Sequence, residues 1–192
     1  MDPAALIPPP AFPRRKITAE EYSKTPEGPP YMQLIDGEYY VSESPVPKHQ
    51  TISGKLHLLL GNWAERSRAG SIWCAPLDVY LSQYDVVQPD LFFISNARLP
   101  KLLGRRIHGP PDLVVEILSP STSTLDLGKK RALYARSGVP ELWIVDPESR
   151  QVRIYRFAED TENPISVLRQ GEKLASPILS GFEANVSDIF SG

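Results

Sequence analysis

The sequence predicts a mixed α/β (α+β) domain: a central mixed sheet flanked by helices and preceded by a β-hairpin. Three observations carry this. Asp36-Gly37 in YMQLIDGEYYVSES is the two-residue turn whose positive φ angles suit twisted antiparallel strands. Two stretches with helical spacing, one from Lys48 to about Arg68 and one in STSTLDLGKKRALYARSGV, are separated by strand-like runs. Between them, DLVVEILS is apolar on both faces, as a strand covered on each side must be.

Along the chain, Pro3, Pro8, Pro9, Pro10 and Pro13 favour an extended arm over residues 1–16, leaving 17–192 as a single domain. Thr18 with Glu21 three residues later forms a capping box for a short helix that ends before Pro26. Ile52, Leu56, Leu59, Leu60 and Trp63 recur at three- and four-residue intervals and give the first long helix a face that covers a sheet. SIWCAPLDVYLS and VVQPDLFFIS read as an antiparallel pair, with Pro89 marking a bulge or a break in the ladder. A basic loop, NARLPKLLGRRIHGPP, leads into DLVVEILS. The second long helix stops at Gly138 and Pro140, ELWIVD and QVRIYRF add two strands, and the remainder reads as a polar tail with one strand around Ile165–Arg169.

Composition bounds the function. The 192 residues carry 21 basic and 23 acidic side chains, so no global basic field advertises nucleic acid, although a local patch is compatible with this balance. Cys74, the only cysteine, excludes an internal disulfide and reads as a buried thiol in a reducing compartment. No apolar run reaches the ~20 residues of a membrane span, and the prolines break any leader-like helix, so the expectation is a cytoplasmic protein. No Gly-x-Ser-x-Gly elbow and no Cys/His cluster points to a serine hydrolase or a zinc site.

Glu116 is the chemical anomaly. Alternation places it with Val114 and Leu118 on one face of a doubly covered strand, where a carboxylate costs several kcal/mol unless a metal, a basic side chain or a hydrogen-bond network meets it. Asp112 lies four residues away on the same strand, roughly 13 Å at ~3.3 Å per residue, and reads as a strand-entry residue. Asp90 lies on the preceding run, and neighbouring strands are only ~4.8 Å apart, so Asp90 and Glu116 converge on one cation if the register allows. On the following helix Lys130 sits near the centre of the arc of Leu127, Leu133 and Tyr134, where it needs an anion, and Lys129, Arg131 and Arg136 fall outside that arc. Asp126, Lys130 and Tyr134 stack at four-residue steps. Two carboxylates and a lysine form a minimal kit for metal-assisted phosphodiester hydrolysis, and a buried ion pair is the structural alternative.

QPDLFFIS followed by PPDLVVEILSPST, then Asp126, Lys130 and Tyr134, with LIDGE upstream and SGVPELWIVDPE downstream, resembles the PD-(D/E)XK nuclease superfamily. Within it the chain is similar to the Uma-two family of bacterial restriction-endonuclease-like proteins. That resemblance implies a restriction-endonuclease-like fold in which Asp90 and Glu116 bind Mg²⁺, with Mn²⁺ as a substitute, and a lysine contributes to catalysis. The superfamily lysine two residues after the glutamate is replaced by Leu118, so its role passes to Lys130.

The reading is therefore a Mg²⁺-dependent DNA endonuclease: Asp90, Glu116 and Lys130 catalytic, Asp126 and Tyr134 supporting them, and Glu38 as a third carboxylate or an ordinary exposed acid. Lys101, Arg105 and Arg106, with His108, form a clamp on backbone phosphates or an ordinary solvated loop. His49 either reaches the mouth of the site or caps its helix, and Ser119, Ser121 and Thr122 either bind phosphate or cap theirs. A homo-oligomer, a dimer or larger, is expected, as in nucleases that cut both strands. The alternative function is a catalytically silent module that binds nucleic acid or protein through the same fold.

Overall fold

The computed structural model of the chain describes residues 15–26, 28, 31–41, 45–119 and 125–191. A six-stranded mixed sheet forms its centre. Its members are β3 (Gly70–Cys74), β6 (Leu91–Ser95), β8 (Leu113–Ile117), β9 (Glu141–Asp146), β10 (Gln151–Arg156) and β11 (Ser166–Arg169), in the order β11-β10-β9-β8-β6-β3. Within it β8 and β9 are parallel, and the other neighbours are antiparallel. A five-stranded sheet in the order β2-β1-β5-β4-β7 comprises β1 (Met32–Ile35), β2 (Glu38–Val41), β4 (Val79–Ser82), β5 (Asp85–Val87) and β7 (Ile107–His108). A small pair, β12 (Lys173–Ala175) and β13 (Glu183–Asn185), completes the strands.

The helices divide the two faces of the central sheet. Along α2 (Pro47–Ser67), Ile52, Leu56, Leu60 and Trp63 pack on the face bearing Leu91, Phe93, Leu113, Val115 and Ile117. The opposite face, with Phe92, Ile94, Val114, Leu142 and Ile144, is covered by Leu133 and Tyr134 and by Ile35, Val79, Val87 and Ile107 of the five-stranded sheet. Leu133 and Tyr134 belong to α4, whose first turn, Asp126–Lys130, is π-helical and whose remainder, Arg131–Arg136, is α-helical. The short helices are α1 (Ala19–Tyr22), α3 (Leu99–Leu102) and α5 (Val186–Ile189). Among the described residues no helix is long and apolar enough to cross a membrane.

The Thr18 capping box forms as the sequence implies, and Asp36 and Gly37 take φ of 54° and 79° in the hairpin turn. Gly37 is also required by space, because a Cβ there would stand 2.6 Å from Cβ of Lys16. The proline arm lies outside the described residues apart from Arg15 and Lys16.

Three expectations are corrected. SIWCAPLDVYLS and VVQPDLFFIS are each two strands: Pro76 and Pro89 interrupt the ladders, so one long hairpin is shared between the two sheets, with β3 and β6 in one and β4 and β5 in the other. Cys74 is exposed, because it ends an edge strand at a cleft. The C-terminal region is not a polar tail. Leu174, Leu179, Phe182, Val186 and Ile189 are buried in the same core as Trp63 and Trp143, their apolar spacing diluted by turn residues that hid it.

A structural acid also emerges. Glu141 is fully buried, accepting from Trp143 Nε1 at 2.7 Å and pairing with Arg156 Nε at 2.9 Å. Glu141→Ala strands both donors, and we expect a loss of about 3 kcal/mol, read as a lower midpoint in urea unfolding with an unchanged slope.

Candidate metal and nuclease centre

The register of β6 against β8 pairs Leu91 with Val115, so one step further brings Asp90 beside Glu116. Val114 and, by alternation, Glu116 lie on the face of β8 that α4 covers, and Asp90 stands at the end of β6 beside Glu116. The backbone fixes the aspartate: Ile117 N–H donates to Asp90 Oδ2 at 2.7 Å, and Asp90 C=O accepts from Ala75 N–H at 3.1 Å. Leaving the ladder at Pro89 is what frees this carboxylate to turn toward the neighbouring strand.

Glu116 meets α4. Lys130 Nζ stands 2.6 Å from Glu116 Oε1 and 3.2 Å from Asp126 Oδ1, and Tyr134 donates its hydroxyl to the same Glu116 oxygen at 2.5 Å. Glu116, Asp126 and Lys130 are each only 3% exposed, so these charges interact through protein, with little solvent screening. Asp126 and Lys130 bound the π-helical turn, a widening often found at functional sites.

Three carboxylates, Asp90, Glu116 and Asp126, surround one ammonium. Burial works against charge on Lys130, but Glu116, Asp126 and Asp90 together hold its proton more firmly than usual. Burial pushes the Glu116 carboxyl up to about 8; Lys130 opposes that shift, and Asp126 and Asp90 add to it. The two shifts pull against each other, since a charged Lys130 favours an ionised Glu116. We take Lys130 as charged, because more than one carboxylate faces it, and Glu116 as the group whose ionisation the surplus negative charge resists. Burial and Glu116 keep the Tyr134 hydroxyl protonated and therefore a donor.

A pH dependence follows. Glu116 binds its proton more tightly folded than unfolded, so its contribution to stability is fully present below about 4.5 and is lost as pH rises to about 8. Thermal melts across that window are expected to show a falling midpoint, with a shallower fall in Glu116→Gln. An unchanged slope in the variant would remove Glu116 as the source.

Asp90, Glu116, Asp126 and Lys130 line a cleft of about 680 Å³ together with His49, Cys74, Gln88 and Ser119. His49, from the first turn of α2, places Nε2 3.2 Å from Asp90 Oδ2. Burial disfavours its charged form, but the Asp90 hydrogen bond and charge, with Glu116 behind, raise its pKa overall. Sequence reasoning undervalued this histidine, since nothing local shows that the start of α2 passes the end of β8.

Other expected residues lie apart. Glu38 does not line the cleft: its carboxylate stands 3.7 Å from Lys129 Nζ and accepts from the Tyr40 hydroxyl at 3.1 Å on an exposed strand. Asp112 is a strand-entry residue, accepting Ser95 N–H at 2.8 Å and pairing with Arg98 at 2.7 Å. Arg105 and Arg106 line a neighbouring cavity, whereas Lys101, exposed on α3, lines neither it nor the cleft. Ser121 and Thr122 lie outside the described residues.

The donor set suits a hard divalent cation. Among the described residues no group of three or more His, Cys, Asp or Glu side chains is placed to hold a metal ion, and the oxygen donors that converge are the two carboxylates of Asp90 and Glu116. Asp90 and Glu116 would hold such an ion, and two positive charges would offset the surplus negative charge around Lys130.

Comparison with known proteins bears on the fold and the family. The fold is similar to a crystal structure described as "a putative nuclease belonging to DUF820 from Anabaena variabilis ATCC 29413", with a TM-score of 0.77 and 22% identity over 91% of this chain and 97% of that one. No curated protein matches the sequence. Residues 19–187 match the model of the Uma2 family, described as "Putative restriction endonuclease". By this match across most of its length, the chain belongs to the Uma2 (Uma-two) family of restriction-endonuclease-like proteins.

Proposed function

We propose that the chain is a Mg²⁺-dependent endonuclease that hydrolyses DNA phosphodiester bonds at Asp90, Glu116 and Lys130. The observation that carries this is the convergence of Asp90 and Glu116, from adjacent strands, beside Lys130 in an open cleft with surplus negative charge. A bound Mg²⁺ supplies a Lewis acid and an activated water. Asp90 is pre-oriented by Ile117 N–H and Glu116 by Tyr134, so neither carboxylate must be gathered from solvent. Asp126 retains a contact to Lys130, which keeps the ammonium at the cleft to stabilise charge developing on the phosphate oxygens. Glu38, engaged with Lys129, has no part in this proposal.

The direct Lys130–Glu116 contact at 2.6 Å favours a second reading, a silent binding module in which the pair is structural. Calorimetric titration of Mn²⁺ into wild type and Asp90→Asn, with a short duplex present, separates the two. Binding to wild type that weakens at least tenfold in Asp90→Asn supports the nuclease, and absence of binding to wild type favours the silent module. A homo-oligomer that brings two centres to two strands belongs to the nuclease reading, with light scattering as its check.

A further inference from the structure

His49 lines the cleft and has no task in the chemistry assigned so far. Its contact is with Asp90: Nε2 lies 3.2 Å from Asp90 Oδ2, and the imidazole is only 12% exposed. An ionised carboxylate can only accept, so Nε2 carries the proton and donates it. The other ring nitrogen, Nδ1, is buried and makes no hydrogen bond among the described residues. A buried polar atom without a partner costs stability, so the fold alone gives no reason for a histidine here over an apolar side chain of similar size.

Asp90 Oδ2 accepts twice, from His49 Nε2–H and from Ile117 N–H at 2.7 Å. A carboxylate oxygen has two lone pairs, so these two donors fill Oδ2 and leave Oδ1 to meet an ion. Glu116 is arranged alike: Lys130 Nζ at 2.6 Å and the Tyr134 hydroxyl at 2.5 Å both approach Oε1, which leaves Oε2. The two acids differ in how firmly they are held. Glu116 is 3% exposed and locked in the core, whereas the Asp90 side chain is 20% exposed and stands where the ladder has been interrupted at Pro89. A single bond from Ile117 would let that carboxylate turn about the bond, and water would compete for it. A second donor, from α2, removes that freedom.

Resting on the nuclease reading of the cleft, we propose that His49 is a positioning residue: its hydrogen bond fixes the rotation of the Asp90 carboxylate and so keeps Oδ1 for the divalent ion shared with Glu116. Among the described residues no three His, Cys, Asp or Glu side chains are placed to hold a metal, which is why His49 is assigned to orienting a ligand and not to being one. Partners of this kind, one bond removed from the ion, typically carry about ten- to a hundredfold in metal affinity.

Calorimetric titration of Mn²⁺ into His49→Leu and His49→Gln, beside wild type and with the short duplex present, tests this. Leucine fills the space and removes both nitrogens; glutamine can place an amide N–H where Nε2 was. His49→Leu is expected to weaken Mn²⁺ binding about tenfold or more, and His49→Gln to recover most of that loss. Melting midpoints in EDTA are expected to be level or slightly higher in His49→Leu, because the buried Nδ1 leaves with the ring and Asp90 keeps its bond from Ile117. A residue that only held the fold would lower that midpoint. Undiminished affinity in His49→Leu, equal losses in the two variants, or a midpoint in EDTA that falls together with the affinity overturns the proposal. Undiminished affinity in His49→Leu, with Asp90→Asn still weakened, removes the role of His49 alone and leaves the nuclease reading in place. No binding of Mn²⁺ to wild type removes that reading, and the role of His49 with it.

Discussion

Glu116→Ala is expected to abolish cleavage of DNA while leaving the domain folded. A metal ligand's contribution is several kcal/mol of charge stabilisation, so the rate falls by about 10³-fold or more. Folding survives because Lys130 keeps Asp126 at 3.2 Å and because removing a carboxyl whose ionisation burial resists relieves surplus negative charge. Cleavage of supercoiled plasmid in Mg²⁺, with a melting curve on the same preparation, measures both quantities. A variant that is folded and cuts at the wild-type rate would sink the assignment.

Lys130→Ala is the complementary case, with its largest effect on stability. Without the ammonium, Glu116 and Asp126 are left buried at 3% exposure with no neighbouring cation, and breaking a buried pair in this way costs about 3–5 kcal/mol. The same change makes a divalent ion more valuable to the fold, because the ion replaces the positive charge that Lys130 brought to those carboxylates. Millimolar Mn²⁺ is therefore expected to raise the midpoint of Lys130→Ala more than that of wild type, through binding linked to the native state. Equal increments in both proteins would mean that the ion does not bind at this cluster. Cleavage is expected to be lost whether or not the ion restores stability, since Lys130 is assigned to stabilising charge on the phosphate.

These outcomes bear on a distinction within the molecule. Glu116 and Glu141 are both buried acids on adjacent parallel strands, and both are paired with a cation. Glu141 is met by an indole and a guanidinium and does not line the cleft, a structural arrangement. Glu116 instead lines it, with Asp90 alongside. The same residue type in the same kind of strand thus occupies two settings, and the difference is set by which end of the strand faces the cleft.

Local chemistry made much of this legible in the chain. The Asp36-Gly37 turn, the Thr18 capping box, the apolar stripe of α2 and the double-sided apolarity of β8 each follow from backbone geometry or periodicity, and so does the burial of Glu116. The pairing of Glu116 with Lys130 followed as well, because a lysine inside an apolar arc requires an anion and the preceding strand carried one. What the sequence could not decide was long-range registry. That Asp90 stands beside Glu116 depends on β6 pairing with β8, that His49 reaches Asp90 depends on where α2 begins over the sheet, and that Glu38 points to Lys129 depends on the hairpin lying against α4. Sharing one hairpin between two sheets, and burying Leu174, Phe182 and Ile189 from what reads as a polar tail, are likewise products of packing. The physical reason is common to all of them. Propensity, capping and periodicity act over a few residues and are written locally, whereas registry and the meeting of distant charges are fixed only when the whole core closes around them.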